Sequence, residues 1–448
     1  MSLTEKKGNI NVLVISKSSW NQNSAFGNTL SNFFGDSPNL SFYNVYLRNQ
    51  IPENDICIDY FNISNEQIVK NAIFPWKIGN YLNTSYLNNK REERQISKFA
   101  KMETKITNFS KKHLFSFLRL IEEIIWVFGG WKNKKFRKYL ISRNIDVIFA
   151  SATDPIYLQS VVSYCQHITK AKLVLFFADD TYTYKGKSPF SLIYQSFIRK
   201  TLRKTVESSS IIYGASQKLC DEYKKNFNRD IIPLYKGCLL NDNIEVNKSY
   251  SYPLKIVYAG NLLYGRDDIL TKLANEIMKI NQSIEKINLE IYTTTNIDEK
   301  VKRNLNIDRT SRIMGFLPYE EIKKVLNNAD IVLHVESFKP NQVKKTRLSF
   351  STKIIDCMQS GSCMMAIGPH SIASIEYLLG IDAVISITDP SKIGHELEKI
   401  VSNPDSLKLK SEKLAKFARE NHDIKDVRYK LEQDFLEIIG NKRNQNRG

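Results

Sequence analysis

One stretch in the second half of the chain, Gly260-Asn261-Leu262-Leu263-Tyr264-Gly265-Arg266, groups residue types that handle phosphate. Glycines let backbone N–H groups approach an anion, and a helix starting after them presents its positive end. Arginine adds a planar fork matched to phosphate oxygens. The same pattern also reads as an ordinary strand–helix turn with a surface arginine. A second group, Asp179-Asp180 followed by Thr181-Tyr182, lies in the first half. Paired carboxylates after a strand admit three readings: a base or acceptor contact, a divalent-metal site, or a helix N-cap.

The elements that must position these residues alternate regularly. Apolar runs at 11–16, 146–150, 173–177 and 211–216 read as buried parallel strands, with helical patterns between them at 157–167 and 191–205. Residues 241–253 are polar, end in a proline and read as an interdomain linker. The series then restarts with strands at 254–260, 287–292, 312–316, 331–335, 363–367 and 383–387, and helices at 268–280 and 319–328. Residues 406–439 read as a charged helical tail. The expected fold class is α/β, with two Rossmann-like, doubly wound domains facing a cleft. The expected domains are 1–240, 241–405 and a helical tail at 406–448. Ligands of such sheets lie beyond the carboxyl ends of the strands, so residues just after strands are the ones to weigh.

With the strands in place, a set of motifs becomes specific. Gly260 ends the first strand of the second domain, and Gly315-Phe316-Leu317-Pro318 forms a turn before a helix opened by Tyr319-Glu320-Glu321. Ala329-Asp330 leads a strand that ends at Glu336. Ser351-Thr352-Lys353-Ile354-Ile355-Asp356 opens a helix, and Gly361 precedes the strand 363–367. In this order the motifs resemble the donor-binding region of family-4-like (group 1) glycosyltransferases with the GT-B fold, of the sort that build bacterial surface polysaccharides. The resemblance covers about residues 254–370. It implies that the loop at Gly260 and Asn261 lines a nucleotide-sugar diphosphate, with Arg266 and Lys353 as the phosphate cations. Ser351 and Thr352 belong to the same donor region. Asp356 would accept from the ribose hydroxyls and Glu336 would reach the donor sugar. Departure of a nucleoside diphosphate builds charge that fixed cations stabilise. The family spaces its two glutamates by seven residues, whereas Glu336 and Asp356 stand 20 apart with the insertion 339–345 between them. In the first domain, Gly27 and Asn28 sit on the loop after the first strand, the expected acceptor loop. Ser216 matches a family serine and equally a helix cap. Asp179 and Asp180, with Glu336, are the expected catalytic carboxylates.

Composition limits the alternatives. The chain has 448 residues, enough for two domains, and 42% of them are apolar. None of its six cysteines forms a Cys-x-x-Cys pair, and its six histidines form no metal-ligand spacing. Residues 1–11 are polar and read as no signal peptide. No apolar run has the length of a membrane span. These features lead to the expectation of a cytoplasmic protein, peripheral on the inner face of the plasma membrane. The net charge is +18, and residues 90–143 hold 15 Lys and Arg against 5 Asp and Glu, interleaved with aromatics. That segment suits an anionic membrane surface, or a charged helix hairpin with core aromatics. No nucleic-acid motif accompanies it.

The expected activity is transfer of a sugar from a nucleotide-sugar, a UDP-sugar by the family's habit, to a lipid-linked saccharide acceptor. The resemblance implies retention of configuration without a metal or cofactor. The alternative is a non-catalytic, glycosyltransferase-like subunit that binds an acceptor or a partner transferase.

Overall fold

The computed structural model describes residues 10–22, 24–73, 79–83, 112–153, 155–183, 188–239 and 250–445. They form two compact units. The first comprises Met1–Ala215, Cys220–Leu234 and Arg428–Gly448, and the second Ser216–Leu219 and Tyr235–Val427. The segment read as a helical tail is thus shared between units, and part of the linker 241–253 lies outside the described residues.

The first unit is built on an eight-stranded sheet. Its strands are β1 (Ile10–Ser16), β2 (Leu40–Tyr46), β3 (Cys57–Asn62), β4 (Asn80–Asn83), β5 (Val147–Ser151), β6 (Lys172–Phe177), β7 (Ile211–Gly214) and β8 (Ile232–Pro233). Their order is β4-β3-β2-β1-β5-β6-β7-β8, parallel except for β4. Its helices are α1 (Ala25–Phe34), α2 (Asn65–Ile73), α3 (Lys112–Phe128), α4 (Lys134–Ser142), α5 (Ile156–Thr169), α6 (Pro189–Glu207) and α7 (Gln217–Phe227), the last starting in the second unit. β1, β5 and β6 are buried along almost their whole length, as central strands covered on both faces must be. Gly27 lies in the first turn of α1, where a Cβ would stand 2.0 Å from the Asn21 carbonyl oxygen. Glycine at this position lets the loop after β1 fold back over the helix.

The second unit holds β9 (Leu254–Ala259), β10 (Ile287–Tyr292), β11 (Ser311–Gly315), β12 (Ile331–Val335), β13 (Cys363–Ile367) and β14 (Ile385–Ile387). Between and after them run α8 (Arg266–Ile280), α9 (Glu299–Leu305), α10 (Tyr319–Asn327), α11 (Pro340–Thr346), α12 (Lys353–Gln359), α13 (Ala373–Leu379), α14 (Ile393–Ser402), α15 (Ser406–His422) and α16 (Ile424–Gln445). The strands are all parallel, in the order β11-β10-β9-β12-β13-β14. Ile256, Ile291, Leu333 and Met365 on the sheet and Leu270, Leu273 and Leu397 on the helices close its core. The end of α16 returns to the first unit: Phe435 is buried with its ring 6.1 Å from Phe34, and Arg428 donates to the Asn32 carbonyl at 3.0 Å.

Of the basic segment 90–143, residues 112–143 are described. Trp126, Trp131 and Phe136 are core residues there, so these three aromatics face no external surface. Two acidic residues of α3 also point inward. Glu123 accepts the N–H groups of Ile156 and Tyr157 at 2.7 and 2.8 Å and the Tyr194 hydroxyl at 3.2 Å. It thereby caps α5, whose own cap residue Pro155 makes no side-chain bond. Glu122 accepts the Tyr157 hydroxyl at 2.9 Å.

Burial pushes Glu123 up from its usual 4.5 to about 7, against the pull of its backbone donors. Between those two values the folded chain holds a proton that the unfolded chain lacks. The stability contributed by Glu123 is therefore largest at low pH and is lost as pH rises to about 7. Thermal melts across this interval should show wild type losing stability relative to Glu123→Gln as pH rises, with the gap levelling above it. Wild type gaining stability relative to the variant as pH rises would exclude this account.

Candidate functional site

In the second unit the strand order reverses between β9 and β12, the switch point where open α/β sheets leave a crevice. The loops that follow these two strands carry the key side chains. After β9, the Tyr258 hydroxyl donates to the Asn261 carbonyl at 2.6 Å. A Cβ at Gly260 would lie 2.5 Å from the Tyr258 hydroxyl. Tyr264 and Gly265 both have left-handed backbones, with φ of 62° and 77°, and α8 starts at the next residue. Gly265 is required twice over, because a Cβ there would also stand 2.7 Å from the Ser337 hydroxyl. The two loops approach this closely only with glycine at that point.

Across the switch point, Arg266 donates to Glu336 at 2.7 Å and to the Asn261 side-chain carbonyl at 2.7 Å. Both charged side chains are largely buried, 13% and 4% exposed. Burial opposes the guanidinium charge, but the Glu336 carboxylate outweighs it and holds the Arg266 pKa above its ordinary value. His334 of β12, two residues before Glu336, lies 3.7 Å from it and 3.1 Å from the Ser374 hydroxyl. Burial, reinforced by Arg266 and Lys353, pulls His334 down to about 3. The ring is thus neutral at physiological pH and its contact with Glu336 is not an ion pair.

Lys353 opens α12. Crowding by protein, with Arg266 adding repulsion, lowers its pKa, yet the side chain remains exposed to solvent. Among the described residues no carboxylate lies within ion-pair distance of it. Asp356, one turn on, is engaged: its Oδ1 accepts from the buried Lys236 ammonium and from the Tyr319 hydroxyl at 3.0 Å. Ser351 and Thr352 are half-buried before α12, and their carbonyls accept the Ile354 and Ile355 N–H groups. The insertion 339–345 folds largely into α11. Lys339 pairs with Asp268 at 2.5 Å, and the Lys345 ammonium stands 6.0 Å from the Tyr264 ring centre.

The structure therefore gathers Gly260, Asn261, Arg266 and Glu336 into one cluster, with Lys353 beside it. Sequence reasoning missed Lys236, Tyr319 and Ser374 as partners of the cluster. Lys236 is a lysine only 4% exposed in a segment of no regular pattern, and only its burial marks it. In the first unit, Gly27 and Asn28 are both within α1. Asp180 accepts the Thr183 N–H at 2.8 Å and the Tyr223 hydroxyl at 2.9 Å, which ties down its own loop. It does not cap α6, which carries its own capping box from Ser188 and Ser191. Asp179 beside it is exposed. Ser216 accepts the Leu219 N–H at 3.1 Å and donates to the Leu348 carbonyl at 3.0 Å, so it serves as a cap and a tie.

Removing one member of a buried pair strands the other charge, at a cost of about 3–5 kcal/mol. Arg266→Ala and Glu336→Ala are each expected to lose stability in that range. The double variant should lose less than the sum of the two. Equilibrium denaturation of the three variants measures this, and simple additivity would mean that the two residues are not coupled.

No family model and no curated protein matches this sequence. Solved structures do. HepE of Anabaena, in complex with UDP and glucose, superposes with a TM-score of 0.58 at 10% identity, covering 96% of this chain and 100% of that one. Sucrose-phosphate synthase from Thermosynechococcus elongatus gives 0.60 at 9%, covering 96% and 99%. An α,α-trehalose 6-phosphate synthase from Burkholderia multivorans gives 0.59 at 9%, covering 98% and 99%. At such low identity the likeness is one of fold, and it agrees with the motifs and the strand order: the chain has the GT-B fold.

Proposed function

We propose that this chain is a glycosyltransferase that moves a sugar from a nucleotide-sugar, a UDP-sugar, bound at the second unit to a saccharide acceptor. The observation that carries the reading is the pair of cations, Arg266 and Lys353, at the switch point beside the amino end of α8. A diphosphate placed there meets backbone N–H groups of α8, the guanidinium and the ammonium together. As the bond from sugar to phosphate breaks, charge grows on the leaving oxygens and these fixed cations stabilise it. Two cations supply this without a metal. Gly260 and Asn261 form the wall of the diphosphate loop, and Ser351 and Thr352 border the crevice beside Lys353. Glu336 orients Arg266 and turns toward the sugar hydroxyls. Asp356, held by Lys236 and Tyr319, is the carboxylate that accepts from the ribose hydroxyls.

In the first unit, the loop leading into Gly27 and Asn28 serves the acceptor, with Asp179, exposed after β6, as the carboxylate on the acceptor side. Asp180 holds Asp179 in place through the loop bonds described above. The family resemblance supports retention of configuration and a lipid-linked acceptor in bacterial capsule, O-antigen or exopolysaccharide synthesis. With it goes a place on the inner membrane face, reached through 90–143. HepE bound to UDP and glucose supports the choice of UDP. A second reading, a non-catalytic subunit of the same fold, draws on one observation: Asp356 is already paired with Lys236.

Calorimetric titration with UDP, GDP and ADP in metal-free buffer separates the two. One nucleotide should bind, and Lys353→Ala should weaken it about 10–100-fold, the worth of a charge-assisted hydrogen bond. Asp179→Asn should leave that affinity unchanged and lower turnover. If none of the three binds, the transferase reading is lost and the subunit reading takes its place.

A further inference from the structure

Helix α3 is built inside out. Its carboxylates, Glu122 and Glu123, face the protein and are bonded there. Its outward positions are Leu118, Ile121, Ile124, Val127 and Phe128, spaced as one helical face. Val127 and Phe128 are 76% and 79% exposed. A surface helix with only its own unit to satisfy would be turned the other way.

Helix α6 packs beside α3. Tyr194 of α6 donates to Glu123, and the Arg119 guanidinium lies 5.8 Å from the Tyr194 ring centre. The outer stripe of α6 is also apolar at its start, with Phe190, Ile193 and Phe197 exposed at helical spacing. Along the same face the stripe continues with exposed Lys200 and Lys204. Past the end of α3, Lys132, Lys134, Lys135, Arg137 and Lys138 are exposed as well. Two neighbouring helices therefore present apolar side chains outward, with cations at their carboxyl ends. Among the described residues of α3, α4 and α6 the only acidic residue not turned inward is Glu207, at the far end of α6.

We propose that the outward faces of α3 and α6 insert together into an anionic lipid bilayer. Apolar side chains enter the acyl boundary while the flanking cations meet the headgroups, and either signal alone gives only marginal attachment. The charge argues against a second copy of this chain as the occupant, because two cationic rims would be brought together. The proposal draws its purpose from the reading of a lipid-linked acceptor above. It differs from the sequence-based expectation in its residues: α6 lies outside 90–143, and the buried Trp126, Trp131 and Phe136 take no part.

The test is co-sedimentation of the full chain with phosphatidylcholine vesicles and with vesicles containing about one-third phosphatidylglycerol. Binding is expected for the second kind only, and to weaken as salt is raised. Val127→Glu with Phe128→Glu on α3, and Ile193→Glu with Phe197→Glu on α6, should each lower partitioning at least about tenfold. UDP affinity should be unchanged in both. No binding to anionic vesicles overturns the proposal, as does binding that both double variants retain. A wild-type dimer in light scattering that these variants split into monomers would overturn it in favour of a copy–copy interface. Vesicle binding that behaves as expected in a chain that binds no nucleotide would leave this proposal standing while the transferase reading fell.

Discussion

The second unit is organised around one buried ion pair, Arg266 with Glu336. Taking both charges out of water is costly, and mutual attraction repays that only when geometry is imposed and the remaining polar atoms are served. Here the geometry is imposed from both sides. Asn261 holds the second guanidinium nitrogen, and Gly265 lets the loop after β9 come against Ser337 after β12. A neutral His334 fills the space behind Glu336 without competing as a cation. The start of α8 and the path of both loops follow from this arrangement. So does the electrostatic character of the cluster, since Glu336 is matched to Arg266 and, among the described residues, Lys353 has no carboxylate at ion-pair distance.

The first unit uses carboxylates in a related way. Asp59, buried on β3 next to the edge strand, accepts from the Tyr139 hydroxyl at 2.7 Å and from Arg143 at 2.8 Å. Glu122 and Glu123 brace α5, and Asp180 braces the loop after β6. These acidic groups are used up as internal ties. The lysines and arginines of α4 and α6 are left to define the outside, so the exterior of these helices is more positive than composition alone would make it.

How much of this the sequence discloses depends on where polar residues fall. Strands β1, β5, β6, β9, β12 and β13 are apolar runs with at most one or two polar residues each, such as Asn11, Lys255 or His334, and can be read directly. β2 and β3 cannot, because Asn44, Asp59 and Asn62 interrupt them although all three are buried. Their polar groups are satisfied by tertiary partners: Asn44 donates to the Val14 carbonyl at 3.0 Å and accepts from Trp20 at 3.2 Å. Arg266 and Glu336 are legible as residues at strand ends. Their direct pairing is not, since it depends on the strand order placing β9 next to β12. Lys236 is illegible because it lies outside any regular element and stands 120 residues from the carboxylate it pairs with.

The return of α16 to the first unit has a consequence for synthesis of the chain. Residues 428–445 cover Phe34 and bond to α1, yet they emerge from the ribosome after all of Tyr235–Val427. At ordinary elongation rates that delay is roughly ten to forty seconds. Throughout it the nascent first unit exposes an aromatic surface whose cover does not yet exist. The outgoing and returning passes are themselves bonded to each other, Cys238 to His422 and Ile424. The first half of the protein is thus made first and finished last, and a holding chaperone has a defined window and a defined surface on which to act.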